Sequence, residues 1–159
     1  MADYAKLATE AKTRHVSAKV ETAEERKRNR ELLVFFKSVE INLSKEINMA
    51  NPNLASAGVP TFGGPGTAQN DWTINLSYGK RTRCRVAIDQ HVVEGSTAIG
   101  VEMGGDIPKQ TLGYLLESDG TGLKAYKILE EGVVDRGKRF TPGEIAEAVV
   151  TGIINGRFE

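Results

Sequence analysis

Cysteine is nearly absent from this chain, in which Cys84 is the only cysteine among 159 residues. A single cysteine excludes an intramolecular disulfide and a cysteine metal cluster. Charge of one sign is not in excess either, since 21 basic residues stand against 21 acidic ones. A nucleic-acid binder that is basic over its whole surface is therefore not indicated, although a local basic face stays open.

Long apolar runs and the common catalytic signatures are also missing. No stretch approaches the roughly 18 apolar residues of a membrane span, and the first residues do not begin a signal peptide. The GGPG segment at 63–66 lacks the ending of a phosphate loop, and there is no Gly-x-Ser-x-Gly motif and no dinucleotide fingerprint. We therefore expect a cytoplasmic protein without a cofactor, and catalysis is not favoured.

The clearest periodic signal lies in residues 71–103 and predicts β-strands. Apolar or inward-facing side chains occupy every second position on both sides of residues 79–81, namely Trp72, Ile74, Leu76 and Tyr78, then Thr82, Cys84, Val86 and Ile88. Pairing Tyr78 with Thr82 keeps both sets on one face, whereas a tighter turn would put arginines among them. The sequence therefore predicts a hairpin with one apolar face and one polar, locally basic face.

A third strand is expected to continue this sheet. With a turn at residues 94–95, Val86 lies opposite Met103, and a longer loop from residue 90 keeps the same faces. Ala98, Gly100 and Glu102 then point outward, where the small residues leave the backbone bare. Glu102 is placed to neutralise Arg83 or a neighbour across the strands.

Two further strands follow, which gives a meander of about five antiparallel strands. Leu112, Tyr114 and Leu116 alternate with other residues, Asp119-Gly120 is a strong hairpin signal, and Leu123–Ile128 forms the return strand. Residues 132–140 are predicted to be a polar, basic connection.

Helix is predicted from residue 3 to about residue 48. An apolar stripe at steps of three or four supports it from residue 23 on, through Leu32, Phe36, Val39, Leu43 and Ile47. Residues 1–22 have too little apolar area to anchor themselves, so they form a frayed helix or pack on another subunit. We expect one domain over residues 23–159 with residues 1–22 as an extension, and a flexible loop, either linker or lid, over residues 51–70.

The final predicted element is a helix with marked ends. Thr141 is the N-cap, Pro142 occupies the first turn, Glu144 completes a capping box, and Asn155-Gly156 ends the helix. Packing this helix beside the N-terminal helix on one sheet face gives a two-layer α+β domain. The other sheet face stays open to solvent or to a partner.

Few side chains suggest chemistry. Asp89 and His91 share one face of a strand and are weak candidates for a metal site, but such sites need three or four converging ligands. We therefore expect no metal. Cys84 has no identifiable base beside it and is expected to be buried.

The best functional lead is a basic hairpin formed by Lys80, Arg81, Arg83 and Arg85. Arginine suits phosphate and carboxylate recognition because its guanidinium binds in a bidentate manner. The aromatic residues that single-stranded nucleic acid would stack on are expected to face the other way. The favoured function is a non-catalytic binding or assembly module that acts through protein–protein contacts and forms a homo-oligomer. The alternatives are a nucleic-acid or anion binder using this hairpin, and a small-molecule binder or enzyme with a pocket under residues 51–70.

Overall fold

The structure, a computed structural model, describes residues 3–19, 23–65, 72–89, 97–118 and 122–159. The chain divides into two compact units, residues 1–31 and residues 32–159. Its elements are α1 (Tyr4–Lys19), α2 (Ala23–Ser56), β1 (Phe62–Gly63), β2 (Thr73–Tyr78), β3 (Thr82–Asp89), β4 (Thr97–Gly104), β5 (Gln110–Ser118), β6 (Leu123–Ile128), a 3-10 turn (Glu130–Gly132), β7 (Val134–Phe140) and α3 (Pro142–Asn155). Every strand among the described residues therefore belongs to the second unit.

The seven described strands form one sheet in which each pairs antiparallel with its neighbours in sequence. This meander, with a long N-terminal helix and a C-terminal helix, confirms the predicted α+β class. The sheet contains the five expected strands and two more, β1 and β7, which lie at its edges. The polar connection predicted over residues 132–140 is wrong, because β7 lies there. Residues 135–139 are all exposed, so this edge strand has no apolar alternation that would reveal it.

The register of the first hairpin is the predicted one, with Tyr78 opposite Thr82 and Leu76 opposite Cys84. The next pair differs from the prediction by two residues, because Val86 lies opposite Val101 and not opposite Met103. A shift of two residues leaves every side chain on the same face, so burial cannot separate the two registers. The connection that sets this register, residues 90–96, lies outside the described residues.

The core lies between one face of the sheet and helices α2 and α3. The buried stripe of α2 is the predicted one, with Phe36, Val39 and Leu43 fully buried and Leu32 and Ile47 at its ends. The side chains of α3 and the inner face of the sheet complete the same cluster. Removing a buried phenylalanine or leucine from such a cluster leaves a cavity and costs about 2–5 kcal/mol. This packing fixes which sheet face stays outside.

The segment predicted as a loop over residues 51–70 begins later than expected. Helix α2 continues through Pro52 to Ser56, and β1 lies at Phe62–Gly63. The Asn51 side chain joins these elements, because its amide nitrogen donates to the Phe62 carbonyl at 3.1 Å and its oxygen accepts from the Phe62 amide at 2.8 Å. A short strand held by a side chain carries no periodic pattern in the sequence.

Helix α3 has the predicted capping box. The Thr141 hydroxyl accepts from the Glu144 amide at 3.1 Å, and the Glu144 carboxylate accepts from the Thr141 amide at 3.2 Å. That backbone hydrogen bond, followed by the Lys138 ammonium at 3.2 Å, lowers the pKa of Glu144. A lowered folded-state pKa means that the carboxylate stabilises the fold above the ordinary pKa of a glutamate. The contribution is lost as the pH falls through the lowered pKa.

The Thr141→Ala substitution should lower the free energy of unfolding by about 1 kcal/mol, because it removes the hydroxyl that caps α3. Urea denaturation of the full chain measures the loss. Thr151→Ala is the matched control, since Thr151 is exposed in the same helix. It should be neutral or slightly stabilising because alanine favours helix. Equal losses in both variants would contradict a capping role.

Candidate functional site

The alternation of β3 decides which side chains reach the outer face, the sheet face turned away from α2 and α3. Every second side chain of this strand is directed to the core, and Arg83 and Arg85 are exposed on the opposite side. Lys80 and Arg81 are exposed in the turn that precedes β3. The structure therefore brings the four predicted binding residues to one hairpin.

Two of these four cations already have partners within the chain. The Arg83 guanidinium donates to the Thr82 carbonyl at 3.0 Å and to the Lys80 carbonyl at 3.2 Å, so it folds back on its own turn. Arg81 lies 3.6 Å from the Asp106 carboxylate. Both side chains of that ion pair are mostly exposed, so the pair adds little stability. These contacts reduce the charge that the hairpin offers to a ligand.

Arg85 differs from its neighbours. Its cross-strand neighbours are Asn75 on β2 and Glu102 on β4. The Glu102 carboxylate is instead 3.5 Å from the Lys109 ammonium. Within the part of the chain that the structure describes, Arg85 makes no hydrogen bond and no ion pair. Of the partners expected for Glu102, Arg83 is wrong, because the carboxylate lies opposite Arg85 and pairs with Lys109, which precedes the neighbouring strand β5.

A depression of about 430 Å³ opens beside Arg85 on the outer face. Ala87 and Gly100 are directly opposite each other in β3 and β4, and they give it a floor with no side chain larger than a methyl group. Arg85 and Glu102 border it on one side and Asp89 on the other, and Trp72 and Ile88 also line it. A space of this size lies within the range of small-molecule sites.

A second depression, of about 620 Å³, lies where β5 and β6 meet the C-terminal residues, with Ile128 and Phe158 in its lining. Its two lysines both have partners, since Lys127 donates to the Glu159 carbonyl and Lys109 pairs with Glu102. Neither depression is lined by residues 51–65. The alternative of a pocket under residues 51–70 falls partly on residues 66–70, which lie outside the described chain.

The basic hairpin is held in place by a close approach of backbone to backbone. Gly105 has φ +131°, a conformation that favours glycine, and a Cβ at this position would overlap the Arg81 carbonyl oxygen. The preceding residue, Gly104, has open space where its Cβ would be. The turn after β4 therefore supports the turn before β3 only if residue 105 is glycine.

Gly105→Ala should reduce the free energy of unfolding by about 1–3 kcal/mol, because it adds both backbone strain and a clash with Arg81. Gly104→Ala is the matched control and should stay within about 0.5 kcal/mol of the natural protein. Thermal or urea unfolding of the two variants checks this expectation. A Gly105→Ala variant as stable as Gly104→Ala would show that the two turns do not meet as described.

Two buried side chains that could act as nucleophiles, Cys84 and Tyr114, are kept in their neutral forms at neutral pH. Burial raises the pKa of the Cys84 thiol to about 12. Burial, and then the charge of Glu144, raises the pKa of the Tyr114 phenol to about 12. Among the residues described, no three His, Cys, Asp or Glu side chains form a group that could hold a metal ion. Asp89 is exposed at the end of β3, and its proposed metal partner His91 lies outside the described residues.

Cys84 should stay unmodified by a disulfide reagent such as Ellman's reagent at pH 8 in the native protein, and should react fully in denaturant. The reason is that a buried thiol with a raised pKa supplies almost no thiolate. The absorbance of the coloured thiolate that the reagent releases gives the number of modified cysteines. Complete modification of the native protein within seconds would contradict the burial of this side chain.

Sequence reasoning missed Lys109, which decides that Arg85 is left unpaired. Lys109 lies just before β5, in a turn segment without periodicity, and only the register across β4 and β5 brings it to Glu102. One part of the floor of the depression could be predicted, because alternation in β4 places Gly100 on the outer face. The sequence did not show that another small residue, Ala87 of β3, lies opposite Gly100.

No family model, curated protein or solved structure matches the chain. In the described part of the chain, none of the helices has the length and apolar character needed to cross a bilayer.

Proposed function

We propose that this protein is a non-catalytic assembly module that pairs with a second copy of itself through the solvent-facing side of α2. The observation that carries the proposal is a strip of exposed apolar side chains on this helix. Val34 is 70% exposed, Ile41 56% and Met49 59%. Exposed apolar side chains are common singly, and three of them spaced along one helix support an interaction surface there.

The strip is presented by a rigid element. Val34 and the buried Leu43 point in opposite directions, since at 100° per residue nine residues give half a turn. The helix is held to the core by one side while the strip faces water on the other. A preformed apolar strip loses little conformational entropy when it is covered, which favours association.

The spacing of the strip suits a partner that is identical to this chain. Val34 and Ile41 are seven residues apart, the repeat at which helices pair side by side. In an antiparallel twofold pair, Val34 would contact Ile41 of the second copy, and the reverse contact follows by symmetry. Lys37 and Glu40, which form an ion pair at 3.8 Å, and Lys45 border the strip, so the strip has charges of both signs beside it.

The first unit supports association independently. In α1 every side chain described, from Tyr4 to Lys12, is exposed, including Tyr4 at 78% and Leu7 at 48%. An isolated helix of 16 residues is marginal in water. A helical α1 whose described apolar side chains, such as Tyr4 and Leu7, are uncovered is therefore expected to need a partner.

The edges of the sheet are less suited to pairing with another chain. Strand β7 presents the charged residues Asp135, Arg136, Lys138 and Arg139 along one edge. The Asp135 carboxylate also accepts from the Gly137 amide at 2.9 Å, which occupies a donor on that strand. Strand β1 at the other edge has only two residues, and Pro60 and Pro65 lie close to it. Charges, prolines and short edge strands all oppose edge-to-edge pairing.

Nucleic-acid binding through the basic hairpin is the second candidate. It is favoured by the exposure of Lys80, Arg81, Arg83 and Arg85 at one end of the outer face. It is weakened by the internal partners of Arg81 and Arg83. The nearby aromatics Trp72 and Tyr78 are half-buried against the core and offer no open stacking surface.

Val34→Lys should convert a dimer to a monomer, with a dissociation constant about 100-fold higher. The dimer contains two copies of the substitution. Each copy removes about 1.4 kcal/mol of apolar contact, which is a tenfold change in the dissociation constant, and places a charge in the interface. Sedimentation velocity or size-exclusion chromatography with light scattering, across a range of concentrations, measures the effect.

Val133→Lys is the matched control, since Val133 is 59% exposed in a connection outside α2. It should leave the dissociation constant unchanged. The proposal fails if the natural protein is a monomer at all accessible concentrations, or if the two lysine variants weaken the dimer equally. Both changes are at exposed positions, so circular dichroism should show the natural fold in each.

A further inference from the structure

We propose that the depression beside Arg85 is a binding site for a small monocarboxylate with a flat apolar body. This site lies on the sheet face opposite α2, and the inference does not rest on the dimer proposed above. Two features of the outer face carry it: a cation without a partner in the described chain, and a bare floor of small residues.

The unpaired cation is the first feature. An arginine beside a cross-strand glutamate would ordinarily form an ion pair with it. Here Lys109 takes the Glu102 carboxylate at 3.5 Å, and the Arg85 guanidinium borders the depression with its donors free among the described residues. Its neighbour Arg83 has no such freedom, because two carbonyls of its own turn accept its donors. A free guanidinium at a cavity matches a carboxylate, which it binds through two parallel hydrogen bonds.

The floor is the second feature. Ala87 and Gly100 lie opposite each other, so the backbone of two neighbouring strands is nearly bare over this area. A flat group can lie against such a surface, and Trp72 and Ile88 also line the depression. The cavity of about 430 Å³ is near the small end of ligand sites, which limits the ligand to a small molecule.

Titration of the isotope-labelled full chain with benzoate, followed by amide chemical shifts, tests the site. Saturable shifts are expected at the amides of Ala87 and Gly100. Arg85→Gln should raise the benzoate dissociation constant at least tenfold, because it removes the charged bidentate donor. Arg83→Gln is the matched control on the same strand and face, and should change the constant less than twofold.

A second pair of variants tests the cavity itself. Gly100→Leu fills the floor, and a Cβ there meets only the Ala87 carbonyl oxygen at 4.0 Å, so the fold should be kept. Gly104→Leu is its control, since a Cβ at that position meets nothing within 4 Å. Benzoate binding should be lost in the first variant and kept in the second. The amide spectrum of each variant reports whether its fold is intact.

The outcomes that would overturn the proposal are distinct. Absence of saturable shifts up to about 50 mM benzoate would remove the site. Equal weakening by Arg83→Gln and Arg85→Gln would show diffuse attraction to the hairpin. Tighter binding of phenyl phosphate than of benzoate would replace the proposed carboxylate with a phosphate ligand. None of these results affects the oligomeric state, so failure here is distinguishable from failure of the assembly proposal.

Discussion

The burial of one side of the sheet against α2 and α3 is the constraint on which the rest of the structure depends. Because side chains alternate along a strand, placing Val86 in the core places Arg85 and Ala87 outside. The same packing sets α2 with Leu43 inward and leaves Val34 and Ile41 in water. Both candidate surfaces are thus consequences of a single apolar contact layer.

Much of this layer could be predicted from the sequence, because it rests on strong periodicities. The stripe from Leu32 to Ile47, the pairing of Tyr78 with Thr82 and the Thr141 capping box are all local patterns. The features that could not be predicted lack such patterns. Strand β7 has no apolar alternation, β1 is fixed by the Asn51 side chain, and a register shift of two residues does not alter burial.

The features of the candidate site likewise divide into those that could be predicted from the sequence and those that could not. Alternation placed Arg83 and Arg85 on the outer face, so the exposure of the basic hairpin was predictable. The difference between the two arginines was not, because it depends on a turn geometry for Arg83 and on the position of Lys109 for Arg85. A pattern in one strand gives the face of a side chain. Its partners come from register and turns, which bring together residues distant in sequence.

One measurement tests the central claim about these faces most directly: relaxation of side-chain methyl groups by a soluble paramagnetic agent, recorded over a series of protein concentrations. We predict that Val86 and Ile99 are protected at every concentration and that Ala87 always relaxes rapidly. Val34 and Ile41 should become protected only as the concentration rises. Rapid relaxation of Val86 would contradict the assignment of the sheet faces, and rapid relaxation of Val34 and Ile41 at all concentrations would contradict pairing through α2.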